Sequence, residues 1–439
     1  MKKVVKFGGS SLASAEQFRK VGDIIREEED RKYVIPSAPG KRFTGDTKVT
    51  DMLYECYRMA EEGEDFKGQL KNIKARYDEI ISGLELSLSL DSEFKTIEDN
   101  FKKHLGENYA ASRGEYLNGI IMADYLGFAF IDAADVIFFK EDGTWDEEKT
   151  KKVMEEELSK HDRAVIPGFY GSLPNGTIKT FSRGGSDITG SIVAQAVHAD
   201  VYENWTDVSG FLIVDPRIIN NPVGIETITY RELRELSYMG ASVLHEDAIF
   251  PVRKEGIPIN IRNTNAPADQ GTWIVESTCQ KSKYTITGIA GKKGFCSINI
   301  EKDMMNTEIG FGRKVLSVFE ENGISFEHMP SGIDTLTVFV HQDHFMDKEQ
   351  QVVTGIHRLA KPDTIDIEAD LALIAVVGRG MKSTRGTAGR VFSALAHAKV
   401  NVKMIDQGSS ELNIIIGVRN EDFEAAIEAI YNIFVLTNM

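Results

Sequence analysis

Apolar positions along this chain switch between two periods, and the switches mark out its elements. Val4-Val5-Lys6-Phe7 reads as a strand. Ser14, with Gln17 three residues on, forms a capping box, after which Phe18, Val21, Ile24 and Ile25 recur at helical spacing. Tyr33-Val34-Ile35 is the next strand, closed by the turn Pro36-Ser37-Ala38-Pro39-Gly40. Strand, helix and strand in this order predict a βαβ unit and a parallel sheet. Residues 51–125 scatter Leu, Ile and Phe among charged residues without a proline, which predicts nearly continuous helix. Within them, 60–105 reads as a peripheral helical hairpin carrying no chemistry. Alternation resumes from Phe128 to Ile213, with strands expected at Ala129–Asp132, Ala164–Pro167, Thr177–Phe181, Val201–Trp205 and Phe211–Val214. A helix over 231–256 and strands near 257–262 and 272–276 follow.

The polar segment Ser277–Lys283 reads as a domain boundary, because the pattern changes beyond it. Lys314–Phe319 and Arg390–Leu395 are alike and lie 76 residues apart. The β-type segments Gly323–Glu327 and Lys399–Lys403, then Leu336–Val340 and Leu412–Gly417, keep that offset. Two copies of a β-α-β-β-α-β module are the simplest reading. The expected domains are therefore 1–280, an α/β domain, and 281–439, a tandem of modules near 285–365 and 366–439.

A chain of 439 residues is long enough for two or three cores. The net charge of −16 argues against a general nucleic-acid binder, which needs clustered Lys and Arg. Cys56, Cys279 and Cys296 show no metal-ligand or redox spacing, as expected of a reducing cytoplasm. No signal-peptide core and no run of about 18 apolar residues appears, so a membrane partner is not expected.

Two glycine-rich turns carry the candidate chemistry. Lys6-Phe7-Gly8-Gly9-Ser10-Ser11 ends the first strand. Ser182-Arg183-Gly184-Gly185-Ser186-Asp187 lies between Thr177–Thr180 and an apolar helical stretch. Each sets bare backbone N–H groups at a helix start, where anions bind, and each carries one cation. Two such turns suggest a reaction between two anions, and phosphoryl transfer to an acid fits. Lys6 falls at the carboxyl edge of the sheet, where ligands of open α/β sheets sit. Arg183 offers a planar fork to a carboxylate; a surface salt bridge is its ordinary alternative. Asp187 is either a plain helix cap or part of the site. Glu115, in Ser112-Arg113-Gly114-Glu115, either complements a helix dipole or binds an ammonium. Thr206 and Asp207 end one strand and Asp215-Pro216-Arg217 follows the next, as either a nucleotide pocket or two polar turns. No G-x-x-x-x-G-K-[ST] loop is present. Gly378–Ser383 lacks the third glycine of a dinucleotide fingerprint and reads as a module loop. His245 reads as a packing residue.

Taken in order, these motifs resemble the aspartate kinases of the amino-acid kinase superfamily. The resemblance rests on the Lys6–Ser10 loop, the Ser37 turn, Ser-Arg-Gly-Glu at 112–115, Arg-Gly-Gly-Ser-Asp at 183–187, Trp-Thr-Asp-Val at 205–208, Asp-Pro-Arg at 215–217 and Gly-Ala-x-Val-Leu-His at 240–245. It implies a three-layer α/β/α catalytic domain with a mainly parallel sheet, followed by two ferredoxin-like ACT modules. It further implies ATP- and Mg²⁺-dependent phosphorylation of the L-aspartate β-carboxylate, the first step of lysine, threonine and methionine biosynthesis. Carried over by motif, Lys6 bridges the transferring phosphoryl group and Gly8, Gly9 and Ser10 hold phosphates. Arg183 pairs with the substrate α-carboxylate and Glu115 with its ammonium, with Ser37, Thr50, Gly184, Gly185 and Ser186 beside them. Asp187 orients the site, and Thr206, Asp207 and Arg217 hold ATP. The chain departs from many relatives at Leu212, where they carry Tyr, and from some at Asn265, where they carry Lys. The first ACT module of such enzymes binds a pathway end product. Here Met305, Gly310, Phe311, Glu327, Ser331 and Asp334 occupy the matching positions, with lysine expected ahead of threonine. Pairing of ACT modules implies a homodimer or homotetramer.

Two other readings remain open at this stage. One is a sibling kinase acting on glutamate, acetylglutamate or a nucleoside monophosphate. The other is a non-catalytic amino-acid sensor built on the modules.

Overall fold

Val4 and Lys6 point to one face of the first strand and Val5 and Phe7 to the other, and all four are buried. A strand buried on both faces belongs inside a layered α/β unit. The computed structural model describes residues 1–182, 184–241, 244, 246–278 and 283–437. They divide into two units, 1–211 with 224–230 and 243–278, and 212–223 with 231–242 and 279–439.

The first unit holds β1 (Lys3–Phe7), β2 (Arg31–Pro36), β3 (Ala129–Phe130), β4 (Ala164–Val165), β5 (Tyr170–Ser172), β6 (Ile178–Thr180), β7 (Val201–Thr206), β8 (Thr227–Thr229), β9 (Ile259–Asn263) and β10 (Thr272–Val275). Eight of them form one sheet in the order β3-β4-β2-β1-β7-β9-β10-β8. Every pairing is parallel except β9 with β10. β5 and β6 form a separate hairpin. β1 has its sequence neighbour β2 on one side and β7 on the other, so the strand order reverses at its carboxyl end. Crevices for ligands open at such points.

Sequence explains the crossovers. Ser14 Oγ accepts the Gln17 N–H at 3.4 Å and starts the helix Ala15–Glu27. Residues 60–105 do hold two consecutive helices, but the expectation that they are peripheral is corrected. Four helices, Val49–Glu61, Lys67–Gly83, Asp91–Lys102 and Glu107–Leu126, share one core with Val5, Phe7 and Val34 of the sheet. Phe101 explains why they belong inside, because Tyr57, Phe66 and Tyr109 ring it at 5.4, 5.9 and 6.4 Å. Phe211–Val214 forms no strand of its own. Gly210 turns the chain at φ 98°, and the Thr272 side chain takes the Phe211 N–H at 2.8 Å.

The second unit holds β11 (Gly288–Glu301), β12 (Phe326–His328), β13 (Thr335–His341), β14 (Thr364–Val377), β15 (Met404–Asp406) and β16 (Asn413–Arg419), in the order β12-β13-β11-β14-β16-β15. β11 and β14 run antiparallel along their whole lengths. Phe295–Glu301 pairs with β13, and Leu371–Val377 pairs with β16. Two β-α-β-β-α-β modules therefore share the long strands, and the second takes its outer strand from residues 288–293, ahead of the first. Helices Phe311–Glu321 and Thr387–His397 keep the 76-residue offset. β12 and β15 begin later than the β-type segments expected there, because Gly323 (φ 64°) and Lys399 (φ 59°) first turn the chain out of those helices. The His328 ring and the Asp406 carboxylate meet at 2.8 Å and tie together the two edge strands. In the Gly378 loop, Arg379 pairs with the fully buried Glu232 at 2.9 Å.

Candidate active site

Parallel pairing sets Lys6 directly beside Asn204. Both side chains face the amino end of the helix Gly185–Ala196, where Asp187 occupies the first turn. The Lys6 ammonium lies 2.6 Å from Asp187 Oδ1 and 3.5 Å from Asn204 Oδ1. Asn204 Nδ2 donates to the same Asp187 oxygen at 2.9 Å. The two glycine-rich turns thus meet through one ion pair, buried at Lys6 and partly exposed at Asp187. Arg183 lies outside the described residues, as do His245 and Cys279.

The first turn is built from backbone. Gly8 N–H donates to Trp205 O at 2.9 Å, and Gly40 N–H donates to Gly9 O at 2.8 Å. A Cβ on Gly9 would stand 2.8 Å from Ala38 O, and one on Gly40 would stand 2.6 Å from the Gly9 carbonyl carbon. Only glycine allows these two segments to lie so close. Ser10 is exposed beyond them. Ser37 N–H is held by Phe7 O at 3.1 Å and Ser37 O by Asn118 Nδ2 at 2.7 Å. The second turn uses the same device. Gly184 is left-handed (φ 59°), a Cβ on Gly185 would stand 2.5 Å from the Phe169 ring, and Ser186 packs on Gly168.

Glu115 projects from the helix Glu107–Leu126 and is 6% exposed, with no hydrogen-bond partner at Oε2. Burial pushes its carboxyl up to about 8, and the Ala38 N–H, its own backbone, Lys6 and Arg113 pull it only partly back. Leaving such an oxygen unmatched costs about 1–3 kcal/mol, so the pocket suits a ligand that brings a donor. Thr50 stands in the first turn of Val49–Glu61, with Oγ1 3.7 Å from where a Gly114 Cβ would lie.

Thr206 ends β7, its hydroxyl 3.2 Å from the exposed Asp207 carboxylate. Arg217 belongs to the second unit, where the Asp215 carboxylate holds it at 2.5 Å. Also there, Met305 and Phe311 are buried in the core of the first module and Gly310 caps the helix Phe311–Glu321 at φ 82°. Glu327 Oε2 accepts the Tyr238 hydroxyl at 2.5 Å, Ser331 is exposed, and the Asp334 carbonyl receives Lys302 N–H at 2.9 Å.

Sequence reading passed over Asn204 and Asn118. Each had a signal. Asn204 is polar in the middle of a buried strand, and Asn118 follows Glu115 by three residues on one helix face.

Residues 1–263 match the amino acid kinase family and residues 374–434 match the ACT domain. Aspartokinase 3 of Bacillus subtilis is 41% identical over 451 residues, covering 98% of each chain. The crystal structure of Clostridium acetobutylicum aspartate kinase superposes with a TM-score of 0.90 at 52% identity, covering 99% of this chain and 100% of that one. Escherichia coli aspartokinase III, solved in complex with aspartate and ADP, shares the fold with a TM-score of 0.74 at 22% identity over 99% of both chains. The same enzyme with lysine and aspartate gives 0.72, over 98% of this chain and 99% of that one.

Proposed function

The chain belongs to the amino acid kinase family as an aspartate kinase, and we propose that it transfers the γ-phosphoryl group of ATP to the β-carboxylate of L-aspartate under feedback control by L-lysine. The observation that carries this reading is the Lys6–Asp187 ion pair, which joins the two glycine-rich turns at the carboxyl end of β1. Lys6, the Gly9 amide and the start of the helix at Gly185 make an electropositive end suited to phosphates, while the Gly8 N–H is taken by Trp205 O. Glu115, buried and one donor short, suits the aspartate ammonium; Arg183 suits its α-carboxylate, with Ser37, Thr50 and Ser186 alongside. The attacking carboxylate is ionised at neutral pH, so no general base is needed. Charge neutralisation and positioning then carry the rate.

Among the described residues, no three His, Cys, Asp or Glu side chains converge on a cation site. Mg²⁺ would accordingly arrive with the nucleotide, held by phosphates and water, and would supply charge neutralisation there. Thr206, Asp207 and Arg217 are assigned to the nucleotide. The ACT modules are assigned to lysine, ahead of threonine, and to self-association as a dimer or tetramer. No described helix is long and apolar enough to cross a membrane, and the proposed compartment is the cytoplasm. An ATP-coupled assay with hydroxylamine trapping tests the reaction: hydroxamate is expected from aspartate and not from glutamate, N-acetylglutamate or nucleoside monophosphates. Folded protein with Mg²⁺ and no aspartyl hydroxamate would refute it. Adding aspartate-derived amino acids singly tests the effector.

A further inference from the structure

The helix Lys67–Gly83 lies in the region whose sequence suggested no chemistry. It nonetheless sends two consecutive side chains to the two backbone segments that frame the site. Arg76 is 6% exposed. Its guanidinium donates to Gly40 O at 2.8 Å and to Thr47 O at 2.6 Å. Those carbonyls bracket residues 41–46, a stretch exposed except at Asp46, with Lys41 and Arg42 inside it and Lys48 just beyond. Asp46 closes the clamp from within that stretch, 3.6 Å from Arg76 and 2.9 Å from Arg42. The neighbouring side chain, Tyr77, is fully buried and donates to Gly114 O at 2.8 Å, one residue before Glu115.

We infer that Arg76 is a positioning residue for the phosphoryl-transfer site: it fixes the loop 40–47 so that Gly40 stays locked on Gly9. Geometry gives the chain of contacts. Arg76 holds Gly40 O, Gly40 N–H holds Gly9 O at 2.8 Å, and Gly8 N–H is held by Trp205 O. An arginine fork is suited to this because it serves two carbonyls and a carboxylate from one rigid plane. A lysine ammonium donates from a single point and lacks the planar fork that spans both carbonyls and the carboxylate. Tyr77 performs the parallel task on the aspartate side by holding the Gly114 carbonyl. Two carbonyls and an ion pair fully inside a loop anchor are more than a helix needs for its own stability, since the helix already packs through Leu70, Ile73, Tyr77 and Ile80.

The inference rests on the reading that Gly8 and Gly9 approach nucleotide phosphates, and the test separates the two. Steady-state kinetics and thermal melts are compared for R76M, R76K, D46N and K6A of the full chain. R76M is expected to raise KM for ATP at least fivefold and lower kcat about tenfold, with KM for aspartate changed less than twofold. R76K should recover part of both losses. D46N takes a largely buried carboxylate out of the clamp, so it should shift KM for ATP in the same direction by about twofold to fivefold with a modestly lower melting point, and, assayed below that melting point, it decides the matter if R76M does not fold. Wild-type kinetics in folded R76M, or in D46N when R76M is unfolded, would overturn the inference while K6A remained inactive. Wild-type kinetics in K6A as well would overturn the underlying reading instead.

Discussion

The Lys6 ammonium and the Asp187 carboxylate stand 2.6 Å apart, one at the end of β1 and the other in the first turn of the helix Gly185–Ala196. Neither turn brings both charges by itself. β1 supplies the cation because Lys6 shares a face with Val4, towards that helix, while Val5 and Phe7 fill the opposite core. With Asn204 donating to the same carboxylate oxygen, the ammonium has one defined place rather than a cone of rotamers.

Removing that cation should therefore remove transition-state stabilisation more than stability. Lys6→Ala is expected to lower kcat at least about a hundredfold, as for other preorganised charges, with a melting curve close to the wild type. Lys6→Arg should not restore it, because a planar fork cannot take the place of a compact ammonium. Asp187→Asn should lose about tenfold to a hundredfold by the same assay. A Lys6→Ala enzyme within tenfold of wild type would show that the ion pair is structural.

Glu115 gives a pH signature with a definite sign. Its carboxyl titrates near 8 in the folded chain against an ordinary value of 4.5. A raised acid stabilises the fold fully below the ordinary value and loses that contribution as pH rises towards the folded value. The unliganded protein should lose stability between about pH 5 and 8, by no more than roughly 5 kcal/mol at about 1.4 kcal/mol per unit. An aspartate ammonium favours the ionised form, so KM for aspartate should fall as pH rises from about 6.5 to 8. Glu115→Gln should flatten both trends. Urea melts across pH and aspartate titrations check them, and a wild-type slope retained in Glu115→Gln would assign the titration elsewhere.

Backbone contact between Gly9 and Gly40 predicts an unequal response to the smallest substitution. Gly40→Ala puts a methyl 2.6 Å from the Gly9 carbonyl carbon, so backbone must shift to admit it. We expect a loss of about 1–3 kcal/mol and at least a tenfold loss of kcat/KM. Gly68→Ala, in the helix Lys67–Gly83 with nothing within 4 Å of the new methyl, should be neutral or up to about 1 kcal/mol stabilising. Parallel melts and assays distinguish the sites; equal responses would mean that the Gly9–Gly40 approach is tolerant.

Elements with local causes were legible in the sequence. The helix cap at Ser14, the strand Val4–Phe7 and the repeated modules all show in period and spacing, although the Gln17 side chain goes to Asn265 and does not close the box. The two glycine turns show there too, and the resemblance implied that they converge on one cleft; the parallel register of β1 on β7 that sets Asn204 beside Lys6 is a long-range pairing that no local pattern encodes. Asn204 matters only once that register is known, and Asn118 only once the helix Glu107–Leu126 is set against the Ser37 turn. Residues 60–105 looked peripheral because each helix alone is amphipathic with a charged outer face; that Phe101 needs three aromatic neighbours from other segments appears only in the packed core. The outer strand of the second module was hidden because it precedes the first copy, so a repeat search meets it outside the repeat.

Tyr238 and Glu327 carry the last prediction, on regulation. Glu327 and Asp334 are the acidic side chains among the proposed effector positions, either of them suited to an effector ammonium, and the Glu327 carboxylate is engaged by the Tyr238 hydroxyl at 2.5 Å. Burial, followed by that bond, pushes the phenol up to about 12, so the hydroxyl remains a donor at neutral pH. An ammonium arriving at Glu327 must share or displace this donor. Glu327→Ala should weaken lysine binding at least fivefold while leaving uninhibited turnover within twofold. Tyr238→Phe keeps the carboxylate and removes its competitor, so lysine should bind at least as tightly as to the wild type. Calorimetry with lysine and inhibition curves on both variants check this pair of outcomes. If both substitutions weaken lysine alike, the hydroxyl is part of the effector site rather than its competitor; if neither changes it, Glu327 does not meet the effector.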